Sequence, residues 1–108
     1  MKGFDINKLM QQAQQMQAQM AKAQEEIANE TVESSAGGGM VTVKANGAGE
    51  LLEIRIDPRA IDPDDPELLA DLVLAAVNEA LRAARGLAES KLAGLMPGDL
   101  GGLGLPGL

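Results

Sequence analysis

The residues with the clearest chemistry are positively charged side chains gathered near the two ends of the 108-residue chain. Residues 1–24 carry three of them against Asp5, and residues 80–95 carry three against Glu89, whereas residues 25–79 carry three against thirteen acidic residues. Lysine and arginine can bind phosphate groups, although an ordinary mixed surface would contain the same residues. The six terminal cations are Lys2, Lys8, Lys22, Arg82, Arg85 and Lys91.

The overall charge opposes a polyanionic partner, but the distribution of charge matters more. The formal net charge is −7, and nucleic acid is bound by cations that displace its counterions. Charges act over about one Debye length, roughly 8 Å at physiological salt, so the acidic residues 25–79 do not forbid phosphate binding elsewhere. We expect such binding to be modest and strongly dependent on salt.

The composition removes most catalytic chemistry. The sequence has no cysteine and no histidine, which excludes thiolate nucleophiles, disulfides, and the commonest general base and metal ligand. No apolar run approaches the roughly 20 residues that span a bilayer, and the first five residues lack the apolar segment of a signal peptide. We therefore expect a cytoplasmic protein that is not an enzyme and that uses no cofactor, small-molecule substrate or membrane.

Two motifs that could bind phosphate or metal lack the residues that would complete them. The glycines at 37–39 are followed neither by Lys-Ser/Thr nor by a helical pattern, so they indicate a hairpin turn. An acidic cluster lacks the central glycine and distal glutamate of a calcium-binding loop, and we interpret it as the start of a helix with no metal site. Its members are Asp62, Asp64, Asp65, Glu67 and Asp71.

An amphipathic helix is predicted over residues 5–30. Its apolar residues recur at alternating steps of three and four, the spacing of a coiled-coil seam. A helix of this length measures about 39 Å at 1.5 Å per residue, so part of it should project from a domain this small. The apolar residues are Ile6, Leu9, Ala13, Met16, Met20, Ala23 and Ile27.

Three short strands with tight turns should follow as an antiparallel meander. They cover Thr31 to Ala36, Met40 to Ala45 and Glu50 to Asp57, and an Asn-Gly pair marks the second turn. Apolar residues alternate along the second and third strands, which gives the sheet one apolar face that must be covered. These residues are Val41, Val43, Ala45, Leu52, Ile54 and Ile56.

A second long helix is predicted from about Pro66 to Leu95, with Asp64 or Asp65 as its cap. It carries two apolar stripes, so two of its sides must be buried. One stripe can cover the sheet, and the other needs the first helix or a second subunit. Asn78 either sets the register of a buried helix interface or faces outward.

A partner subunit is expected because small side chains bury little area and the chain has a single aromatic residue. The interface could use the sheets, the second helix or both, and we favour the sheet edge with the second stripe of that helix. The predicted interface residues are Val41, Val43, Leu52, Ile54, Leu74, Val77 and Leu81.

The ends of the two helices should carry the cations. If the helices pack as antiparallel neighbours, the start of the first meets the end of the second far from the sheet, and the cations gather at one tip. Residues 1–95 would form a single domain, and the Gly- and Leu-rich residues 96–108 a mostly disordered tail.

Several segments, taken together and in order, resemble the YbaB/EbfC family of bacterial nucleoid-associated proteins. They are 9–17 (LMQQAQQMQ), 35–41 (SAGGGMV), 43–47 (VKANG), 54–58 (IRIDP), 69–73 (LADLV) and 75–81 (AAVNEAL). The resemblance implies a tweezer-like homodimer with projecting helices. It also implies binding to duplex DNA that alters DNA conformation, with roles in nucleoid organisation, gene regulation and DNA protection.

The sequence thus predicts an α+β fold, with a long N-terminal helix, a three-stranded antiparallel meander and a long C-terminal helix. The leading functional hypothesis is a dimeric protein of the nucleoid whose six terminal cations contact DNA phosphates. The alternative is a scaffold that binds other proteins through its heptad seam and through Met10, Met16 and Met20.

Overall fold

The computed structural model describes residues 5–95, and its elements run in the order helix, three strands, helix. The observed elements are α1 (Ile6–Asn29), β1 (Thr31–Ala36), β2 (Val41–Asn46), β3 (Leu51–Ile56), a 3-10 turn (Pro58–Ala60) and α2 (Pro66–Ala93). This order confirms the predicted α+β fold, with every predicted boundary within two residues of the observed one. Within the described part of the chain, no helix is long and apolar enough to cross a membrane. Lys2 and the predicted tail lie outside the described residues.

The strands form one antiparallel sheet in the order β1-β2-β3. The glycines at 37–39 all have positive φ angles in the turn between β1 and β2, a backbone conformation that costs glycine little. The turn between β2 and β3 is closed by the buried Asn46, whose side-chain oxygen accepts hydrogen bonds from the backbone N–H groups of Ala48 and Glu50. Both turns therefore form where they were predicted, and the glycines at 37–39 and Asn46, which predicted them, shape them.

The core lies between the sheet and α2, which packs chiefly on β1 and β2. The buried stripe of α2 consists of Ala76, Ala80 and Ala84, whose small side chains let the helix approach the strands closely. Beneath it, Val41 and Val43 are 0% exposed. The prediction that Val41 and Val43 contact a second subunit is therefore wrong, because α2 of the same chain covers them.

The apolar face of β3 lies beyond the cover that α2 provides. Ile54 is paired with Val43, so the two side chains share one face of the sheet. Val43 is buried, yet Ile54 is 43% exposed. Leu52, next to the register shift in the β2–β3 pairing, is exposed as well. Leu52 and Ile54 remain available to a partner.

The second predicted stripe of α2 is covered in part, because its Ala84 is buried but its larger residues are not. Leu74 is 60% exposed, and Val77 and Leu81 are half-buried. At about 100° per residue, these three are centred about 90° around the helix from the buried alanines, and Val77, the nearest to them, packs against the core. Asn78 is exposed, so of its two predicted positions the chain shows the outward one. We call Leu52, Ile54, Leu74, Val77 and Leu81 the open apolar face.

In the described part of the chain, α1 is attached to the body through its last two turns. Ala23 and Ile27 are buried, whereas residues 5–22 are exposed. The backbone N–H of Gly47 donates hydrogen bonds to the carbonyl oxygens of Ile27 and Glu30, each at 3.0 Å. The radius of gyration is 20.9 Å, against about 13 Å for a compact chain of this length. The predicted projection of the first helix is confirmed, and we call residues 6–22 the arm.

Candidate nucleic-acid interface

The arm carries two of the predicted phosphate-binding residues. Lys8 and Lys22 are exposed, and an α-helix places residues fourteen apart on nearly the same side, about 21 Å apart along its axis. Neither lysine forms an ion pair with any residue between 5 and 95. The carboxylate of Asp5 accepts a hydrogen bond from the backbone N–H of Lys8 and so caps α1. As far as residues 5–95 are concerned, both ammonium groups are available to an anion.

Two arginines of α2 are also exposed. The guanidinium of Arg82 lies 2.7 Å from a carboxylate oxygen of Glu79, one turn earlier on the same helix. Exposed pairs of this kind contribute about 0–1 kcal/mol, so a phosphate can compete with Glu79 for Arg82. Arg85 forms no ion pair among residues 5–95.

Lys91 is engaged within the chain. Its ammonium lies 2.9 Å from a carboxylate oxygen of Glu30 and 3.5 Å from one of Glu26. The hydrogen bond and the charge of Glu30 raise the pKa of Lys91 above its ordinary value of 10.5. Lys91 therefore joins the end of α2 to the end of α1, and it offers less to a phosphate than Lys8 or Lys22 does.

The sequence predicts that the cations gather at one tip of the molecule. In the structure they are spread along α1 and α2 instead. The helices are antiparallel where they touch, but only their C-terminal parts overlap, with Lys91 beside Glu26 and Glu30. From that level, α1 continues for about twenty residues, or roughly 30 Å, to Lys8. Periodicity shows which side of a helix is buried, but it does not fix how far two helices overlap.

The end of α2 meets the base of the arm at a shallow cleft. Its lining consists of Gln19, Lys22, Ala23, Glu26, Gly94 and Leu95. Lys22 therefore stands where the two helices come together, whereas Lys8 stands at the free end of the arm. Arg82 lies farther along the body, between the buried residues Ala80 and Ala84 of α2.

On the outer face of the sheet, the charged side chains form ion pairs with one another. Arg55 lies 3.2 Å from Glu33 and 3.5 Å from Glu53, and Lys44 lies 3.8 Å from Glu53. Two cations and two anions thus share this surface. Since their charges balance, the face offers little attraction to a polyanion, and the arm is the more favourable surface for phosphate.

Next to the sheet, Arg59 is held by a single carboxylate. Its guanidinium and its backbone N–H donate hydrogen bonds to Asp57. The side-chain hydrogen bonds from Arg59 lower the pKa of Asp57 to about 2. This pair closes the 3-10 turn that leads towards α2, so Arg59 has a structural position rather than a free charge.

The sequence predictions left out three glutamines between the two lysines of the arm. Gln12, Gln15 and Gln19 are exposed, and their spacing of three and four residues places them on the side of α1 that carries Lys8 and Lys22. The signal that could have found them is this spacing, which the apolar residues of α1 also follow.

Comparison with known proteins gives relatives that span almost the full chain. A nucleoid-associated protein of Thermoanaerobacter pseudethanolicus is 53% identical over 106 residues, covering 98% of this chain and 92% of the relative. A nucleoid-associated protein of Saccharopolyspora erythraea is 50% identical, covering 96% and 94%. One of Pelotomaculum thermopropionicum is 48% identical, covering 100% and 99%.

A solved structure and a family match agree with these relatives. The crystal structure of an uncharacterized protein from Helicobacter pylori aligns with a TM-score of 0.75 at 24% identity, covering 87% of this chain and 99% of that one. This likeness supports the fold. Residues 1–100 match the family described as the YbaB/EbfC DNA-binding family. With this match and relatives near 50% identity over nearly the whole chain, the protein belongs to the YbaB/EbfC family.

Proposed function

We propose that this protein binds duplex DNA as a homodimer and alters the conformation of the DNA. In that role it belongs to the nucleoid, in the cytoplasm, and contributes to nucleoid organisation, gene regulation and DNA protection. The observation that carries the proposal is the match of residues 1–100 to a family described as DNA-binding. The names of the relatives, which call them nucleoid-associated, support it.

The arm is the surface best suited to DNA. Lys8 and Lys22 are exposed without an ion-pair partner among residues 5–95, and Asp5 is the sole acidic residue among the first 24. We assign phosphate contacts to Lys8, Lys22 and Arg85 first, then to Arg82, with Lys2 and Lys91 completing the predicted set. Contacts to phosphates position a protein without reading sequence.

The homodimer is supported by the open apolar face. Leu74 and Ile54 are large apolar residues that the rest of the described chain leaves uncovered, and burial of such a surface drives association. Most homodimers have twofold symmetry. A twofold dimer would present two arms at a fixed separation, a geometry that can bridge or bend a duplex.

A titration of duplex DNA at several salt concentrations tests the DNA proposal. The logarithm of the binding constant should fall with the logarithm of salt concentration, with a slope of about −0.9 for each phosphate neutralised. The variant Lys8→Gln/Lys22→Gln should bind more weakly and show a shallower slope. Lys44→Gln/Arg59→Gln, which removes the same charge from paired positions, should change both much less.

A result without salt dependence would reject phosphate binding as the source of affinity. Equal losses in the two double variants would reject the arm as the contact surface, because net charge alone would then explain the effect.

Sedimentation of charge variants tests the homodimer. Leu74→Lys should convert a particle of twice 11.2 kDa into a monomer, because it places a charge in the open apolar face. Ala75→Lys adds the same charge one residue further along α2, at an exposed position about 100° away, and should leave the dimer intact. If both variants remained dimeric, the result would contradict an interface at this face.

A protein-interaction scaffold is the second candidate. The apolar side of the arm favours it, because Leu9 and Met16, among others, are exposed there and flexible methionines suit adaptable binding surfaces. This function predicts binding that is insensitive to salt and unaffected by added DNA. The salt titration therefore separates the two candidates.

A further inference from the structure

The side of the arm that carries the lysines forms a continuous polar row. Starting at Lys8, steps of four and three residues lead to Gln12, Gln15, Gln19 and Lys22. At about 100° per residue, all four lie within about 40° of Lys8 around the helix. All five side chains are exposed. We call them the amide row.

The side chains of the amide row have no partners of their own in the described part of the chain. Between residues 5 and 95, none of the five donates or accepts a side-chain hydrogen bond or joins an ion pair. Each glutamine carries two N–H donors and a carbonyl acceptor. The row therefore presents six unused amide donors between two ammonium groups.

The surroundings of the amide row favour an anion. Asp5 is the sole acidic residue among the first 24, and its carboxylate caps the start of α1. The next residues on the same side of the helix are Glu26 and Glu30. Lys91 pairs with both of them and so offsets negative charge at the base of the row.

We propose that the amide row lies along one DNA strand and that Gln12, Gln15 and Gln19 donate hydrogen bonds to phosphate oxygens between the contacts of Lys8 and Lys22. Glutamine commonly makes such contacts in protein–DNA complexes. The row is about 21 Å long, and each DNA strand carries one phosphate per roughly 3.4 Å of duplex axis, so more than one phosphate lies within reach of the row. This inference rests on the proposed function, and it assigns part of the DNA affinity to uncharged donors.

The uncharged donors give the proposal a distinct signature. Lysine contacts release counterions and therefore set the salt slope, whereas a neutral amide releases none. Removal of the glutamines should lower affinity at every salt concentration and leave the slope unchanged. Removal of the lysines should lower both.

The experiment compares two triple variants of the same composition. Gln12→Ala/Gln15→Ala/Gln19→Ala removes the amides of the row. Gln14→Ala/Gln17→Ala/Gln24→Ala removes three exposed amides from the far side of α1. Both variants should fold, since alanine favours the helix, and circular dichroism checks this. Each is titrated against two duplexes of equal length and unrelated sequence at several salt concentrations.

The row variant should bind both duplexes at least tenfold more weakly than the unmodified protein, with an unchanged salt slope, and the far-side variant should bind within twofold of it. Equal affinity of the two variants would overturn the inference and show the row to be a solvated surface. A loss confined to one duplex would overturn it in favour of base contacts. If the unmodified protein itself failed to bind either duplex, the proposed function would fail, which is a separate result.

Discussion

The two long helices of this protein have similar lengths but are held in different ways. One side of α2 is buried along three successive turns by Ala76, Ala80 and Ala84, and the sheet fixes its position. α1 buries Ala23 and Ile27 near its end, and its first seventeen residues are exposed. The body is therefore built by α2, whereas α1 supplies a surface that the rest of the described chain does not use.

The largest effect should come from a charge placed in the buried stripe of α2. Ala80 is 0% exposed between the helix and the sheet, so Ala80→Asp would bury a carboxylate without a partner. Burial of an unpaired charge costs about 3–5 kcal/mol, a large part of the stability of a small domain. Urea denaturation followed by circular dichroism should show a protein that is unfolded or nearly so.

Ala75→Asp is the matched control, because Ala75 lies on the exposed side of the same helix. Both substitutions exchange the same residue types and lose the same helix propensity, so their difference reports burial alone. Similar stabilities for the two variants would contradict the assignment of α2 to the core.

A smaller effect is expected at the point where α1 joins the body. A side chain at Gly47 would collide with the backbone oxygen of Ile27, which accepts the hydrogen bond from the Gly47 N–H. Gly47→Ala should therefore cost about 1–3 kcal/mol, as overpacking usually does, and should loosen the base of the arm. Hydrogen exchange at residues 23–30 and urea denaturation would measure the two effects.

Gly86→Ala gives the opposite expectation. A Cβ at Gly86 meets nothing within 4 Å, and alanine in a helix interior is favoured over glycine by roughly 0.5–1 kcal/mol. This control should be more stable than the unmodified protein, with unchanged exchange at residues 23–30. A stabilising Gly47→Ala would mean that α1 is not docked at this turn.

The sequence predicted the elements well because each depends on local patterns. The heptad spacing of α1, the glycines at 37–39 and the Asn46–Gly47 turn each specify their structure within a few residues of chain. The projection of α1 followed from its length. These features need no knowledge of how distant elements meet.

The errors arose where distant elements meet. The alternation along β2 correctly placed Val41 and Val43 on the apolar face, but it could not show that α2 covers this face over β2 and leaves Ile54 of β3 open. The prediction that the cations gather at one tip was wrong for a similar reason, because counting charges along the sequence does not reveal that Lys91 pairs with Glu30. How far two helices overlap, and which strands a helix covers, depend on tertiary packing between elements that are distant in the sequence.

The smallest predicted effect concerns Lys91, where the two helices are joined by charge. Because Glu30 raises its pKa, the ion pair stabilises the fold fully below the ordinary pKa of 10.5 and ceases to do so as pH rises through the higher pKa of the folded protein. The stability difference between the unmodified protein and Lys91→Met should therefore be largest near about pH 8 and should shrink above 10.5. Lys22→Met, which removes a lysine without an ion pair among residues 5–95, should show no such change. A difference for Lys91→Met that persisted at high pH would mean that the packing of its methylene groups, and not its charge, joins the two helices.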